Sequence, residues 1–506
     1  MKKNVLEYFR ESVLKYPDKI AVIDGTDAIC FSDLDKKAKC LASFISSKSS
    51  LKHKPIGVYL PKQINSIIAD IAITYSSNIY MNLDVKTPNT RINNILDLIE
   101  PICIISDSKF ISQLDKPNDN CILINLDEIN FDEEVIADNL CISEAVQIDT
   151  DPLCIINTSG STGTPKGVVL NHKSFIDFVE ISNDIFKFND SEIIGSLSPL
   201  VFDIYSYELC LLMSNASTLV ILPENLASFP FKLLEILSNK NVTFLFWVPT
   251  IMVNIANLNL LNSISLPSLK TVWFAGEVFP TKQFNYWKNS LPHVLFANLY
   301  GPIEITLDCT YFIVNRDIKD DEPLPIGIPY RNTDVFILDD EDRLVIDNNV
   351  EGELCVRGTS LAMGYYNNPI KTSSVFVQNP LNKAYPETIY RTGDIVLKNS
   401  LGEFVFKGRK DSLIKHLGYR IELGEIEHVV VNTLKLVKNA CLVYQSEKKE
   451  IILFYESDHE IEPSNFRKSL LTALPKYMLP TRFVKLAELP RNTNGKIDRL
   501  ALKNLN

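Results

Sequence analysis

Residues 158–167 read Thr-Ser-Gly-Ser-Thr-Gly-Thr-Pro-Lys-Gly, and they closely follow residues 153–156, an apolar run with the length and β-branched content of a buried strand. The glycines let the backbone turn its amides inward, and the hydroxyls and the lysine add donors for a polyphosphate. A P-loop needs Gly-Lys followed by Ser or Thr, whereas Lys166 stands between Pro165 and Gly167. A helix-compatible apolar stretch follows. The pattern predicts a phosphate-binding loop of another type, with a flexible connector as the alternative.

Composition excludes several classes of protein. A chain of 506 residues should form at least two domains, and 46% hydrophobic with 22% charged residues is typical of a soluble enzyme. A net charge of -11 argues against a nucleic-acid partner. No apolar run has the length of a membrane span, and the first residues lack the apolar core of a signal peptide. The ten cysteines lack zinc spacing, so a cytoplasmic protein is the simplest interpretation.

Hydrophobic periodicity predicts an α/β fold. Up to about residue 300, short apolar runs alternate with amphipathic stretches, as in parallel sheets covered by helices. From about residue 323 to 410, short alternating strands and turns predict a β-rich subdomain. We therefore expect a large N-terminal domain of mixed sheets and helices over residues 1–410, and a small mobile α+β C-terminal domain over 411–506. The predicted strands up to residue 300 are 20–23, 56–60, 102–105, 121–126, 153–156, 217–222, 244–248, 271–274 and 295–298.

Three further segments at predicted turns contain side chains typical of ligand-binding or catalytic sites. Residues 298–304 (Asn-Leu-Tyr-Gly-Pro-Ile-Glu) leave a strand where open α/β sheets bind ligands, with an aromatic for a purine and a carboxylate for Mg²⁺. Residues 390–394 (Tyr-Arg-Thr-Gly-Asp) offer a carboxylate to two ribose hydroxyls. Residues 494–499 (Asn-Gly-Lys-Ile-Asp-Arg) present a lysine beside a glycine. Each segment taken alone is equally consistent with a plain surface turn.

Taken together, the segments resemble the adenylate-forming superfamily, most closely the adenylation domains of nonribosomal peptide synthetases and the stand-alone D-alanine–carrier protein ligases. The resemblance runs in order and nearly end to end. The segments that carry it are residues 31–34, 80–84, 158–167, 202–203, 300–304, 352–354, 364–365, 390–394, 408–411, 418–427, 474–480 and 494–499.

The resemblance implies a two-step reaction. A carboxylate attacks the α-phosphate of Mg-ATP to give an acyl adenylate, and a phosphopantetheine thiol on a carrier protein then takes the acyl group. Both steps need cations and preorganised donors rather than a protein nucleophile. By motif position, Lys496, Glu304 and Thr162 are the expected catalytic residues, with Glu304 on Mg²⁺. ATP would be held by Thr158, Ser159, Gly160, Ser161, Thr162, Gly163 and Lys166 at the phosphates, by Asn298, Tyr300 and Gly301 at adenine, and by Asp394 and Arg409 at the ribose. Asp411 would be the hinge of the C-terminal domain, and residues 418–420 would face the pantetheine in the second step.

The resemblance also implies the substrate class. Relatives that activate α-amino acids have an aspartate at the position of Asp203, whose carboxylate pairs with the α-ammonium. The bulk of Phe246 and Trp273 favours a small substrate, unless both are plain core residues, while Asp308 and Tyr207 suit a hydroxyl or a second amine. Serine ranks first, with alanine, D-alanine and glycine open. The full pocket set is Phe202, Asp203, Ile204, Tyr207, Phe246, Trp273, Ala275, Gly276, Leu299, Leu307, Asp308 and Lys496.

Two features bear on the alternatives. Ile303 replaces a threonine that the family uses at the α-phosphate, a loss of about 1–3 kcal/mol that makes a catalytically weak binding or scaffolding homologue one alternative. An acyl- or aryl-CoA ligase is the other, although relatives of that kind usually lack the aspartate. The chain ends soon after Arg499 without a carrier-like segment, so we expect a separate peptidyl or acyl carrier protein as the partner.

Overall fold

Two large sheets organise the N-terminal part of the computed structural model, which describes residues 2–115, 121–131, 147–159, 165–410, 413–437, 439–457, 459–491 and 497–505. Within these residues the first sheet has nine strands, and its central strands are parallel because helical crossovers connect them. Its strand order is Ile328–Pro329, Thr310–Ile313, Leu295–Tyr300, Thr271–Phe274, Phe244–Trp247, Ile193–Ser196, Thr218–Ile221, Ile20–Asp24 and Asp27–Cys30.

The second sheet has seven strands among the described residues and is also mixed. Its order is Gly364–Tyr365, Lys166–Asn171, Pro152–Thr158, Ile79–Leu83, Pro55–Tyr59, Cys103–Ser106 and Ile122–Asn125. One hydrophobic cluster takes residues from both sheets and from the helices packed on them. Helix Ile64–Tyr75 packs within this cluster. It is buried from Ser66 to its end, and its apolar residues therefore surround the helix instead of following a single stripe.

The helices agree with the predicted amphipathic stretches. Helix His172–Phe186 is capped by Asn171, whose side chain accepts from the Ser174 backbone amide at 2.9 Å. The described α-helices are Leu6–Lys15, Phe31–Lys48, Ile64–Tyr75, Asn89–Ile99, Ser108–Ile111, His172–Phe186, Asp203–Asn215, Pro230–Asn239, Pro249–Asn257, Thr281–Ser290, Pro369–Val375, Leu423–His428, Pro463–Leu470 and Arg499–Asn504. None of the helices that can be described has both the length and the apolar content needed to cross a bilayer.

The segment after residues 158–164 differs from the sequence prediction. A strand, Lys166–Asn171, comes first and pairs antiparallel with Pro152–Thr158, so that Thr158 lies opposite Lys166. The helix begins only at His172. The reason is local, since Gly-Val-Val-Leu favours a strand and pairs with the equally apolar strand before the loop. Strands Pro152–Thr158 and Lys166–Asn171 are therefore the two arms of a hairpin.

The later part of the chain forms three smaller sheets. A five-stranded sheet contains Thr333–Leu338, Gly352–Gly358, Thr388–Lys398, Phe376–Gln378 and Phe404–Arg409. Its hydrophobic cluster includes Tyr300 and Ile305, which attaches it to the end of the first sheet. Beyond it lie the two-stranded hairpin Leu413–His416 and Tyr419–Glu422, and the three-stranded sheet Asn439–Gln445, Glu450–Glu456 and Arg482–Leu486. Residues 421–478 contribute a hydrophobic cluster of their own, as expected of a small C-terminal domain.

Candidate active site

A cavity of about 140 Å³ lies where the central strands of the first sheet end. Strands Phe244–Trp247, Thr271–Phe274 and Leu295–Tyr300 are neighbours, and residues at or just beyond their carboxyl ends line the cavity. This is the position in which open α/β sheets bind ligands. The cavity brings together these predicted site residues: Thr158, Ser159, Phe202, Asp203, Ile204, Phe246, Ala275, Gly276, Gly301, Leu307 and Asp308.

Two carboxylates line the cavity. Asp203 is the first residue of helix Asp203–Asn215 and accepts the Ile204 amide at 2.9 Å. Removal from bulk water raises the pKa of Asp203 to about 6, although the Ile204 amide and Lys415 oppose the rise. Asp308 is only 4% exposed, and burial together with repulsion from Asp203 raises its pKa well above the usual range. This part of the cavity therefore favours a ligand with positive charge or proton donors.

Three predicted pocket residues lie behind the cavity wall, in the core. Trp273 stacks on Tyr207 with ring centroids 5.3 Å apart, and it packs edge-on against Phe246, which does line the cavity. The Tyr207 hydroxyl lies 3.0 Å from the Ser182 hydroxyl, and Leu299 is 2% exposed. These side chains support the wall and set the cavity's size, but they do not face its interior.

The predicted nucleotide residues form a second cluster at the five-stranded sheet. Asp394 accepts the Tyr300 hydroxyl and pairs with Arg409. The side-chain amide of Asn298 donates to the Pro325 carbonyl at 2.7 Å. Register explains the pairing of Asp394 with Arg409, since the two residues are opposite each other on adjacent antiparallel strands. The carboxylate expected to accept from a ribose is thus held in place by an arginine and a tyrosine.

Glu304 is fully buried and holds two partners. Tyr365 donates its hydroxyl at 2.7 Å, and Arg420 pairs with the other carboxylate oxygen. Burial alone would raise the pKa of Glu304, but Arg420, Lys166 and the Tyr365 hydroxyl bring it down to about 2. The carboxylate is therefore ionised at neutral pH. It is the residue that the sequence assigned to Mg²⁺.

The hairpin Leu413–His416 and Tyr419–Glu422 enters this same site from the C-terminal domain. Lys166, which the sequence assigned to phosphates, pairs with Glu422. The Ser159 hydroxyl donates to the Arg420 carbonyl at 2.8 Å and accepts the Glu422 amide at 3.0 Å. The hairpin thus supplies partners to three predicted ligand-binding groups at once, Glu304 included.

The hairpin turn requires a glycine. Gly418 has φ of +83°, a Cβ on it would lie 2.8 Å from Val248, and its amide donates to Glu277 at 2.8 Å. Next to it, the Tyr419 ring meets Phe202 at 5.0 Å between centroids. Lys449 reaches the same strand ends, donating to Thr250 at 2.5 Å. The turn therefore docks against the strand ends that surround the cavity.

Sequence reasoning missed the partners of the predicted residues. Tyr365, Glu422 and Lys415 received no role, although all three lie in or beside segments that carry the resemblance. Three charged residues within the short segment 415–422 (Lys-His-Leu-Gly-Tyr-Arg-Ile-Glu) were the available signal. The predicted residues Gly160, Ser161, Thr162, Gly163, Asp411 and Lys496 lie outside the described residues.

Comparison with known proteins supplies the family. The AMP-binding enzyme family matches residues 9–366. Zwittermicin A synthase ZmaJ of Bacillus cereus is 30% identical over 98% of this chain and 94% of its own length. Tyrocidine synthase 1 of Brevibacillus parabrevis is 30% identical over 99% of this chain, which spans only 45% of that larger protein.

Solved structures share the fold. Holo-PA1221, an NRPS protein containing adenylation and PCP domains, superposes with a TM-score of 0.84 at 21% identity, covering 99% of this chain and 84% of that one. The Vibrio cholerae adenylation domain AlmE in complex with glycyl-adenosine-5'-phosphate gives 0.84 at 21% identity, covering 100% and 98%. The family match and the full-length similarity to ZmaJ agree with the resemblance seen in the motifs, and the chain belongs to the AMP-binding enzyme family.

Proposed function

We propose that this protein uses ATP to activate a small amino acid as an aminoacyl adenylate and then transfers the aminoacyl group to the phosphopantetheine thiol of a carrier protein. The observation that carries the proposal is Asp203. This carboxylate lines the cavity and forms no ion pair within the described part of the chain. An α-ammonium supplies the missing partner, and it orients the substrate's carboxylate away from Asp203.

The buried charges suit the first step. When the hairpin leaves, Glu304 loses Arg420 but keeps the Tyr365 hydroxyl, Lys166 loses Glu422, and the Ser159 hydroxyl loses the Arg420 carbonyl. A carboxylate, an ammonium and hydroxyls form the donor set that a magnesium-bound triphosphate requires, so the residues fit this group. Bound there, Mg²⁺ would neutralise phosphate charge. Glu304 would hold the ion, Lys166 and Ser159 would bind phosphate oxygens, and Lys496 would orient the substrate carboxylate.

The closed hairpin suits the second step. With Arg420 on Glu304 and Glu422 on Lys166, the groups proposed to bind the triphosphate are paired within the protein. Lys415 lines the cavity, and it opposes the rise in the pKa of both Asp203 and Asp308. We infer that the structure resembles the thioester-forming pose, in which residues 418–420 face the arriving thiol. Exclusion of water by Tyr419 and Phe202 would protect the reactive acyl adenylate from hydrolysis.

Cavity size supports a small side chain. The volume is about 140 Å³, and Phe246 and Ala275 limit it. Serine ranks first among the candidates, followed by alanine, D-alanine and glycine. A carrier protein supplied as a separate chain remains the proposed acceptor. In PA1221 the adenylation and PCP domains are parts of one protein, so that relative supports a carrier as the partner but not its separation. A catalytically weak homologue is the second candidate, because Ile303 puts an apolar wall on the cavity where a hydroxyl was expected.

ATP–pyrophosphate exchange over all amino acids, with fatty and aryl acids included, tests the function. We expect exchange with one or a few small amino acids, because Asp203 selects for an α-ammonium. Exchange with fatty or aryl acids alone would contradict the amino-acid assignment and favour a CoA ligase. Absence of exchange with every acid would favour the weak homologue.

The pH dependence of exchange tests the role of Asp203. Binding of the α-ammonium requires ionised Asp203, and burial raises its pKa to about 6 while Lys415 is nearby. We expect kcat/KM for the amino acid to fall about tenfold per pH unit below the apparent pKa of Asp203, which is about 6 or higher. The Asp203→Asn variant should have a lower kcat/KM and lack this limb. An unchanged profile in that variant would show that another group titrates.

Lys496→Ala should separate the two steps. In the proposed mechanism its ammonium acts only in adenylation, so the variant should lose exchange and keep most of its thioester formation from supplied aminoacyl adenylate. Aminoacylation of a carrier protein by radiolabelled adenylate measures the second step. Equal loss of both activities would rule out a role confined to the first step.

Arg420→Ala should have the opposite effect. Its loss removes the partner of Glu304 in the closed pose only, so thioester formation should slow at least about tenfold while exchange persists, with an equal or lower KM for ATP. Arg331→Ala is the matched control, because that arginine lies on the surface at 3.3 Å from Asp184. Loss of exchange in Arg420→Ala with normal thioester formation would contradict the assignment of the closed pose.

A further inference from the structure

We propose that Asp70 is a positioning residue for Asp203, and that it acts as an uncharged carboxylic acid. Its side chain lies in the core rather than on the cavity wall, and it links the parts of the chain before and after Asp203. This role rests on the proposed function, because it concerns residues 198–205, the substrate-binding segment that presents Asp203 to the amino acid.

The sequence places Asp70 in an apolar helix. Residues 67–73 read Ile-Ile-Ala-Asp-Ile-Ala-Ile, and Asp70 is the one charged residue of helix Ile64–Tyr75. Its side chain is fully buried, and its hydrogen-bond donors are a phenol and an amide rather than a cation. Burial raises the pKa of Asp70 to about 7, although the hydrogen bonds from Tyr205 and Asn82 oppose the rise.

The partners of Asp70 lie on both sides of Asp203. The Tyr205 hydroxyl donates to Oδ2 of Asp70 at 2.7 Å. The side-chain amide of Asn82 donates to the same oxygen at 3.1 Å and to the Leu200 carbonyl at 3.4 Å. Since Leu200 precedes Asp203 and Tyr205 follows it, one carboxyl group is connected to the substrate-binding segment at two points.

Helix geometry carries this support to Asp203. Residues two apart in an α-helix point about 200° away from each other, so Tyr205 faces the core while Asp203, at the start of the same helix, lines the cavity. Lys62 holds the beginning of the substrate-binding segment, since its ammonium donates to the Ser198 carbonyl at 2.7 Å. The position of Asp203 thus depends on polar side chains that do not line the cavity.

Two oxygen atoms of this network lack a donor. Oδ1 of Asp70 and Oδ1 of Asn82 are both buried, and neither has a hydrogen-bond partner among the described residues. Turning the Asn82 amide over would not help, because its nitrogen already faces the Leu200 carbonyl, which can only accept. A proton on Oδ1 of Asp70 would supply the donor that Oδ1 of Asn82 lacks. The two side chains would then pair as an acid and an amide.

The titratable groups around Asp70 leave it without a stabilising cation. Tyr80, Cys154 and Tyr205 are those whose pKa Asp70 raises, and burial raises the pKa of each as well, so all three are neutral at neutral pH. Within the described part of the chain, only hydrogen bonds lower the pKa of Asp70. A neutral carboxyl group therefore agrees with both the donor count and the surrounding charges.

The kinetics of ATP–pyrophosphate exchange test the positioning role. Tyr205→Phe removes one hydroxyl from the network, and Asp70→Leu removes the carboxyl group. We expect the KM for the amino acid to rise about fivefold in Tyr205→Phe and further in Asp70→Leu, while the KM for ATP and the maximal rate change less than about twofold. Tyr205→Phe keeps the test decisive if Asp70→Leu fails to fold.

Ser12→Ala is the matched control for these variants. Its hydroxyl donates to the Met213 carbonyl at 2.7 Å, so the substitution also removes a buried hydrogen bond, but from the far end of helix Asp203–Asn215. We expect the KM for the amino acid to stay at the wild-type value. A rise equal to that in Tyr205→Phe would show that any loss of support for the helix has this effect, and would overturn the specific role of Asp70.

Asp70→Asn tests the uncharged state. An amide keeps an oxygen for Tyr205 and supplies the N–H that the acid would supply to Asn82, so the KM for the amino acid should stay within about twofold of wild type. Between about pH 4 and 7 the folded wild type keeps a proton that its unfolded chain has released, so its stability falls as pH rises through this range and no further above it. We therefore expect the Tm of the wild type to fall relative to that of Asp70→Asn up to about pH 7 and then to stay level. Asp184→Asn, at an exposed carboxylate, should show no such trend.

The outcomes separate this role from the proposed function. In Tyr205→Phe, equal changes in the two KM values, or no change in either, would overturn the positioning role while exchange itself persists. A Tm difference between wild type and Asp70→Asn that does not vary with pH would overturn the uncharged state, and that measurement needs no activity. Absence of exchange with every amino acid in the wild type would overturn the proposed function, and the positioning role with it.

Discussion

Charge neutrality in a buried site is the constraint on which the rest of this structure depends. Glu304, Arg420, Lys166 and Glu422 form two ion pairs that are largely removed from water. Separating either pair without replacement would leave a buried charge, at a cost of about 3–5 kcal/mol. In the proposed function, a magnesium-bound triphosphate would replace the partners that Glu304 and Lys166 lose when the hairpin leaves, because it carries both charges needed. Ligand binding and the position of the hairpin would then be coupled through the same atoms.

The two large sheets explain why one hairpin can meet both charges. Glu304 follows strand Leu295–Tyr300 of the first sheet, while Lys166 begins strand Lys166–Asn171 of the second. Tyr365 belongs to the strand paired with Lys166–Asn171, and it donates to Glu304. The two sheets thus meet at this carboxylate. A hairpin inserted there contacts both, and its withdrawal would open a cleft between groups that rigid elements already hold in place.

Local patterns predicted most of the fold, whereas the predicted residues that line the cavity came from the resemblance to the family. Strand Thr271–Phe274 was predicted with its observed bounds, since a short run of β-branched and aromatic residues between turns has few alternatives. It was harder to predict which strands and charged groups pair, and which side chains face the cavity. Periodicity could not show that Lys166 continues a strand, that Glu422 would meet it, or that Trp273 lies behind Phe246. These facts depend on contacts between residues far apart in sequence. The roles assigned to residues outside the described part of the chain stay predictions.

Ile303 lies next to these charges, and its apolar side chain affects how they interact. It lines the cavity one residue before Glu304, and it is 9% exposed. An apolar side chain there cannot donate to a phosphate, but it does exclude water from the neighbourhood of Asp203, Asp308 and Glu304. Charges interact more strongly where water is excluded. In the proposed first step, from which Arg420 has withdrawn, the drier site would therefore strengthen the electrostatic contribution of Lys166 and offset part of the missing hydrogen bond.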